Sequence, residues 1–386
     1  MALHYVTGMD IALDSLPPQA GNKDQVTVLG IESSCDETAA SVLRLPRGGA
    51  PEILSSRISS QDEIHRPFGG VVPEMAARAH MDKIQMLIAG AMSDANMEYD
   101  ALDGIAATSG PGLIGGVITG LMSAKGLALS LDKPLIAVNH LEGHALSAKL
   151  SAPCPFPYLL LLVSGGHTQL LSVNGLGDYT RLGSTVDDAA GEAFDKTAKI
   201  MGLGFPGGPY VERAAKSGDA TRFKLPKPFS GKPHADFSFA GLKTAAARAF
   251  ASMDNPDAQD KADLAASFQT AVCGALTDRT QRAMEMFRTS HGDGPQRCVV
   301  AGGVAANKQI RSALEGLCTK NNFTLICPPL KYCTDNAAMI ALAGAEKLMA
   351  GQTDDLSAPA RPRWPLDGEA AKHNPASGSG RKGPKS

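Results

Sequence analysis

His140 and His144 stand four residues apart in the segment HLEGH. Pro134 to Val138, just before them, reads as a strand, so the pair falls where a strand hands over to a helix. Side chains at i and i+4 of a helix lie on one face a turn apart, and two imidazoles so placed can reach one cation. The pattern is close to that of a zinc peptidase but breaks it in one residue. HExxH carries its glutamate directly after the first histidine; Glu142 comes one place later and would point elsewhere. Two histidines that merely cap or pack a helix are the plainer alternative.

Four glycine-rich turns follow expected strands or open expected helices: Gly110-Pro111-Gly112 through Gly115-Gly116, Ser164-Gly165-Gly166, Gly204 to Gly208, and Gly302-Gly303. Glycine lets backbone amides approach an anion closely, and a helix N-terminus adds a favourable dipole. A single turn of this kind usually only turns the chain; four together favour nucleotide phosphate binding. None is followed by GK[ST] and none has GxGxxG spacing, which disfavours a P-loop ATPase and an NAD enzyme.

Acidic residues gather at turns as well: Asp36 and Glu37 in one, and Asp187, Asp188, Glu192 and Asp195 near a helix start. Carboxylates there serve metal binding, ribose contact or proton transfer, with helix capping the alternative for Asp187 and Asp188. From Arg222 to Lys243, the cations Arg222, Lys224, Lys227, Lys232 and Lys243 interleave with Phe223, Phe229, Phe237 and Phe239. That mixture suits contact with a looped RNA, and equally a solvated loop pinned to the body by its phenylalanines.

The elements that must position these residues alternate between strand and helix patterns, as in an α/β protein. Val26 to Ile31 is an apolar strand, followed by the polar turn Glu32 to Glu37 and a second strand, Thr38 to Leu43. The layout recurs at Tyr158 to Val163, Ser164 to His167, and Thr168 to Val173, which points to an internally duplicated, two-lobed architecture. Leu264, Phe268, Val272, Leu276, Ala283 and Phe287 form the stripe of a long helix. Ala190, Phe194, Thr197 and Met201 do the same after Asp187, leaving Asp188, Glu192 and Asp195 off the packing face. Thr334-Asp335-Asn336 is a good cap for a last helix running to about Met349.

Bulk composition sets the bounds. A chain of 386 residues, 43% hydrophobic and 20% charged, can bury two lobes. A net charge of −2 gives no overall field toward nucleic acid, so an RNA partner would need a local patch or a second protein. Seven scattered cysteines, none in CxxC, argue for a reducing compartment and against a disulfide framework or a Cys-ligated zinc. No apolar run is expected to approach the roughly 20 residues that span a bilayer. Residues 1–24 form an extension without the basic start and apolar core of a signal peptide, and Asp10, Asp14 and Asp24 speak against a transit peptide. A cytoplasmic protein is expected. From Pro359 the chain turns Pro-, Gly- and Ser-rich, and 359–386 is expected to be a disordered basic tail.

Taken together, these residues resemble the threonylcarbamoyl-adenosine tRNA transferase family, once described as a sialoglycoprotein endopeptidase. The likeness rests on GIESSCDETAASV (Gly30 to Val42), GGVVPEMAARAH (Gly69 to His80), TSGPGLIGG (Thr108 to Gly116) and VNHLEGH (Val138 to His144). It continues through LLVSGGHTQL (Leu161 to Leu170), DDAAGEAFDKTAKIMGLGFPGGP (Asp187 to Pro209), FSFAGLKT (Phe237 to Thr244), GGVAAN (Gly302 to Asn307) and TDNAAMIA (Thr334 to Ala341). These segments fall in the family's order over about residues 26–350; the extension and tail inherit nothing from them.

The resemblance implies the duplicated actin-like fold of the actin, sugar kinase and heat-shock ATPase superfamily. Residues 25–150 would form the first lobe, completed by the helix 334–350. Residues 151–333 would form the second, with the nucleotide site between lobes. His140, His144 and Asp335 would hold one divalent metal, iron or zinc, iron being favoured; ligand type alone does not choose. The backbone of Leu162, Val163, Ser164, Gly165 and Gly166 would embrace phosphate. Asp195, Gly208 and Asn307 would contact the adenosine part, and Asp36 and Glu37 would face the reaction centre as catalytic carboxylates.

The implied reaction moves a threonylcarbamoyl group from threonylcarbamoyl-AMP to the exocyclic amine of the adenosine 3′ of certain tRNA anticodons. An inactive paralogue and a small ATPase are the implied protein partners, with the amphipathic helix from Pro73 to about Ala95 a candidate docking face. Three rivals remain: an actin-like ATPase or sugar kinase that transfers phosphoryl groups, a metallopeptidase, and a non-catalytic paralogue that only scaffolds.

Overall fold

The computed structural model describes residues 23–373. The expected extension up to residue 22 and the end of the expected basic tail, 374–386, lie outside the described residues.

Two five-stranded sheets carry the same topology. The first is built from β1 (Gln25–Glu32), β2 (Glu37–Pro46), β3 (Glu52–Ser60), β4 (Gly104–Gly110) and β5 (Leu135–Asn139), in the order β3-β2-β1-β4-β5. The second uses β6 (Tyr158–Val163), β7 (Thr168–Gly175), β8 (Asp178–Ser184), β9 (Gln296–Ala301) and β10 (Phe323–Ile326), in the order β10-β9-β6-β7-β8. In each, three consecutive strands pair antiparallel and two later strands run parallel to the first of them. The duplication expected from the two apolar hairpins is therefore complete.

Between β3 and β4 lie α1 (Asp62–His65) and α2 (Pro73–Asp94); α3 (Ile114–Leu131) follows β4, and α4 (His140–Leu146) follows β5. The second lobe carries α5 (Ala190–Met201), α6 (Gly207–Ala215), α7 (Ala240–Ala251), α8 (Ala258–His291) and α9 (Lys308–Lys320), followed by α10 (Ala337–Met349) and the short α11 (Gly368–His373). Helices α2 and α3 cover one face of the first sheet and α10 the other, which is why β1 and β4 are apolar almost throughout. Helix α10 comes so close that a Cβ on Gly30 would sit 2.5 Å from the Ala337 carbonyl, so only glycine fits there. Helices α5 to α9 pack on one face of the second sheet, with the expected stripe of α8 buried.

Helix α4 joins the lobes. It leaves β5 of the first sheet, inserts Leu141 and Ala145 into the core beneath the second sheet, and packs against α10. All seven of its residues are buried.

Three expectations change. Residue 359 does not open a tail: residues 354–373 form a strap. Asp354 pairs with β5, Arg361 N donates to Ser109 O at 2.7 Å, and Asn139 Nδ2 donates to Trp364 O at 2.9 Å. On the second lobe the Asp367 carboxylate accepts from Arg181 N of β8 at 2.9 Å. Composition pointed to disorder, but the strap lies on the edge strands β5 and β8 and across the end of β4, and needs no core of its own.

Asp188 was expected off the packing face, yet it is fully buried, paired to Lys243 at 2.5 Å and Lys196 at 3.2 Å. Those two lysines make its burial tolerable. Finally, α3 is 18 residues long and, by length and composition, apolar enough to cross a membrane, where no such run was expected. It buries Val117, Leu121, Ala124 and Ala128 against the first sheet and exposes Ile118, Met122 and Leu129. All seven cysteines are unpaired.

Candidate active site

The strand–helix junction at Asn139 sets the histidines. Asn139 caps α4, its side chain accepting from Leu141 N at 2.9 Å, so His140 and His144 occupy the first two turns on one face. The α10 cap sequence brings Asp335 to the same point. Its Oδ1 lies 3.0 Å from His144 Nε2 and 3.6 Å from His140 Nε2, and the three ligand atoms fall within 4.8 Å of one another. A tetrahedral cation with the usual bond lengths would space its ligands roughly 3.3 Å apart, so these residues fit a divalent ion with at least one position left for substrate.

His140 is held from behind. Its Nδ1 lies 3.0 Å from Glu32 Oε2 and 3.1 Å from Ser34 Oγ, which leaves Nε2 for the cation. Glu32 is completely buried and also accepts from Ser34 N and Thr108 Oγ1, both at 2.6 Å. His144 has no such support, for its Nδ1 is buried without a hydrogen-bond partner among the described residues.

The charges are compatible with a bound cation. Burial opposes ionisation of Asp335, but the His140 and His144 imidazoles outweigh it and hold the carboxyl well below its ordinary range. Burial likewise disfavours charge on His140, yet Asp335 and Glu32 raise it to about 9. Glu37 is pushed well above the usual carboxylate range, by burial first and then by Asp335 and Asp36; Asp36 shifts upward chiefly by burial. A surplus of carboxylates around one point is what a bound divalent ion relieves.

The β6–β7 turn borders this cluster, for its His167 lies close enough to His140, His144 and Asp335 to feel their charges. Gly165 and Gly166 are exposed, with open space where a side chain would stand. Helix α5 begins directly beneath, where Gly191 N donates to Ser164 O at 3.2 Å, and a Cβ on Gly191 would sit 2.6 Å from that same oxygen. Leu162 and Val163 are buried β6 residues leading into the tip. Further along the cleft, Asp195 Oδ1 accepts from Gly207 N at 2.6 Å, beside Gly208, whose Cα has open space before it. Burial raises Asp195 to about 6 despite that bond. Asn307 caps α9 through Ile310 N and donates to Gln269 Oε1 at 2.7 Å; the next residue, Lys308, bonds Glu212 of α6 through its amide. Thus Asp195 and Gly208 meet at the N-terminal end of α6, and Asn307 lies beside the residue that contacts Glu212 about one turn further along it.

The family model for tRNA N6-adenosine threonylcarbamoyltransferase matches residues 52–342. The chain belongs to that family. Relatives bearing that name include one from Maricaulis maris, 62% identical over 98% of this chain and 100% of its own length, and one from Caulobacter vibrioides, 56% identical over 94% and 98%. Among solved structures, HypF of T. kodakarensis superposes with a TM-score of 0.56 at 14% identity, covering 84% of this chain and 47% of that one. A full-length HypF in a phosphate- and nucleotide-bound form gives 0.50 at 12%, covering 85% and 47%. These likenesses concern the fold alone, and with the duplicated sheets they make it the two-lobed actin-like fold.

Other members of the constellation were not singled out from sequence. In this threonylcarbamoyltransferase-family chain Glu32, Ser34 and Thr108 form a buried layer behind His140. A charged residue ending an otherwise apolar strand was the available signal for Glu32. His167 is 8% exposed and its Nε2 has no hydrogen-bond partner among the described residues; burial and the two neighbouring histidines depress it to about 3, so it is neutral.

Glu142 turns away from the cluster, accepting from Tyr179 at 2.9 Å and pairing with Lys347 at 2.8 Å, so it cannot serve as a peptidase base at the histidines. Asp187 accepts from Phe239 N and Ala240 N and caps α7 rather than its own helix. In the 222–243 segment Phe237 and Phe239 are buried, Phe223 packs on the core, and Arg222 is held by Asp260 and Asp263, which favours the anchored-loop alternative for those four. Lys224, Lys227 and Lys232 remain exposed.

Proposed function

We propose that this chain transfers the threonylcarbamoyl group of threonylcarbamoyl-AMP to the exocyclic amine of the adenosine 3′ of the anticodon, in tRNAs reading codons that start with A, with release of AMP. The observation that carries this reading is the meeting of the His140, His144 and Asp335 cluster with the open Ser164–Gly166 turn. A phosphate seated on the turn would place the adjoining acyl carbonyl near the cluster. A sugar kinase or actin-like ATPase has no need of that triad.

The amine nitrogen attacks the carbonyl carbon, the bond from that carbon to the phosphate oxygen breaks, and AMP leaves with the electron pair. A divalent ion, iron or zinc, held by His140, His144 and Asp335 would supply Lewis acidity toward the phosphate and carbonyl oxygens. The amides of Gly165 and Gly166 bind phosphate, with Ser164, whose own amide is held by His167 O at 2.8 Å, shaping the turn; Asp195 accepts from ribose hydroxyls, and Gly208 and Asn307 border the adenine. Glu37 or Asp36 takes the amine proton; a carboxyl raised above its ordinary range, as burial raises both of these, is a better base than an ordinary one.

The partners are tRNA, an inactive paralogue and a small ATPase, in the cytoplasm. The exposed Met81 and Met86 of α2, with Ile118 and Met122 of α3, make an apolar face suited to the paralogue. Single-turnover transfer by wild type, Asp36→Asn and Glu37→Gln, each loaded with metal and partners, tests the chemistry. A rate drop of about 100-fold or more is expected for the carboxylate that takes the proton. Equal rates in all three would remove both from that role.

A further inference from the structure

The strap formed by residues 354–373 walls an open groove of about 610 Å³ against the turn that follows β4, with Pro73, Gly112, Ile114, Gly115, Arg361 and Arg363 among its lining. The groove adjoins the reaction centre through two contacts. Leu113 N donates to Ser34 O at 2.7 Å, and Ser34 Oγ lies 3.1 Å from His140 Nδ1. Whatever enters the groove therefore lies close behind the metal cluster.

Its charge is basic and uncommitted. Arg363 is exposed, and its side chain makes no ion pair or hydrogen bond among the described residues. Arg361 forms no ion pair there either; its guanidinium lies over the Trp364 ring at 4.3 Å, which fixes it as a flat cationic platform. Glu74, next to Pro73 in sequence, is already occupied by Arg78 at 3.0 Å. Two free guanidiniums beside half-exposed aromatic and aliphatic surface are what an RNA strand needs: charge for phosphate and a face for a base. The chain as a whole carries a net charge of −2, so a local patch of this kind is the only way its own surface can favour RNA.

We propose that this groove holds the sugar–phosphate backbone of the tRNA anticodon loop next to the target adenosine, with Arg361 and Arg363 contacting phosphates. The inference rests on the reading that tRNA is the acceptor substrate. It gives the strap a binding role in addition to its hold on the two lobes.

Binding of an anticodon stem–loop RNA to the full chain, measured at several salt concentrations with partner proteins present, tests it. Arg363→Gln touches nothing in the fold, so its stability and metal content should match wild type; Arg361→Gln/Arg363→Gln is the second variant. Each lost arginine should weaken binding about three- to tenfold at low salt and reduce the slope of log Kd against log salt by about one. Wild-type Kd and slope in both variants overturn the proposal, and so does a loss of partner-protein association with RNA affinity intact. If wild type itself fails to bind the RNA, the tRNA reading fails first and the groove with it.

Discussion

Replacing Glu32 with glutamine probes the layer behind the metal cluster. The carboxylate accepts from three groups at once: Ser34 N on Oε1, and Thr108 Oγ1 and His140 Nδ1 on Oε2. A glutamine keeps one acceptor oxygen and puts an NH2 in place of the other. If the NH2 takes the Oε2 position, two donors confront each other at His140 Nδ1, unless the ring moves its proton to Nε2, the atom that must face the cation. If it takes the Oε1 position, it confronts Ser34 N. Either way a buried donor loses its partner, at a cost of about 1–3 kcal/mol. Loss of such an orienting carboxylate weakens metal binding about 10- to 100-fold, equivalent to about 1.4–2.7 kcal/mol. Chelator competition on the purified variant, read as metal affinity and occupancy, measures this without reference to turnover. Thr108→Val removes one donor to the same carboxylate but leaves the His140 contact, and should bind metal nearly as wild type does. A Glu32→Gln affinity within twofold of wild type would refute the orienting role.

Glu142→Ala should leave the half-buried Lys347 without its ion-pair partner and the Tyr179 hydroxyl without its acceptor, and cost roughly 1–3 kcal/mol in a denaturant titration, while metal content is retained. Unchanged stability with lost metal would place Glu142 in the site after all. Asp195, raised to about 6, is a carboxylate acceptor above that pH and a protonated acid below it. Nucleotide affinity should therefore fall as pH drops through 6 in calorimetric titrations and lose that dependence in Asp195→Asn; identical pH profiles would exclude the ribose contact. Asn139→Ala removes both the α4 cap and the bond to Trp364 O, and should cost about 1–2 kcal/mol of stability and loosen metal binding. Asn139→Asp, which keeps the cap, should recover part of that loss, and a fully wild-type alanine variant would show that the strap does not steady the histidines.

Local pattern made much of this legible. The two apolar hairpins announced the duplicated sheets because a strand buried on both faces is apolar along its whole length, and the spacing of His140 and His144 placed them on one helical face. Asp335 is far from both in sequence, and no local pattern could bring it to them; only the resemblance did. Glu32 was hidden for a related reason. It ends an apolar strand, and its partners Thr108 and His140 arrive from β4 and α4, so its burial follows from topology rather than from its neighbours in the chain. The strap misled by composition. Its prolines and glycines signal a chain without a core, and it borrows order from the edge strands β5 and β8 and from the C-terminal end of β4 instead. Asp188 looked solvated because the lysines that neutralise it come from elsewhere, one eight residues on in α5 and one from α7.

The most direct measurement is mass spectrometry of nucleosides from bulk tRNA in cells depleted of this protein and complemented with variants. Threonylcarbamoyl-adenosine should disappear on depletion, return with the wild-type chain, and stay absent with His140→Ala or Asp335→Ala expressed at the same level. Full restoration by those two variants would contradict a metal-assisted transfer, and an unchanged level on depletion would contradict the assignment of the reaction to this chain.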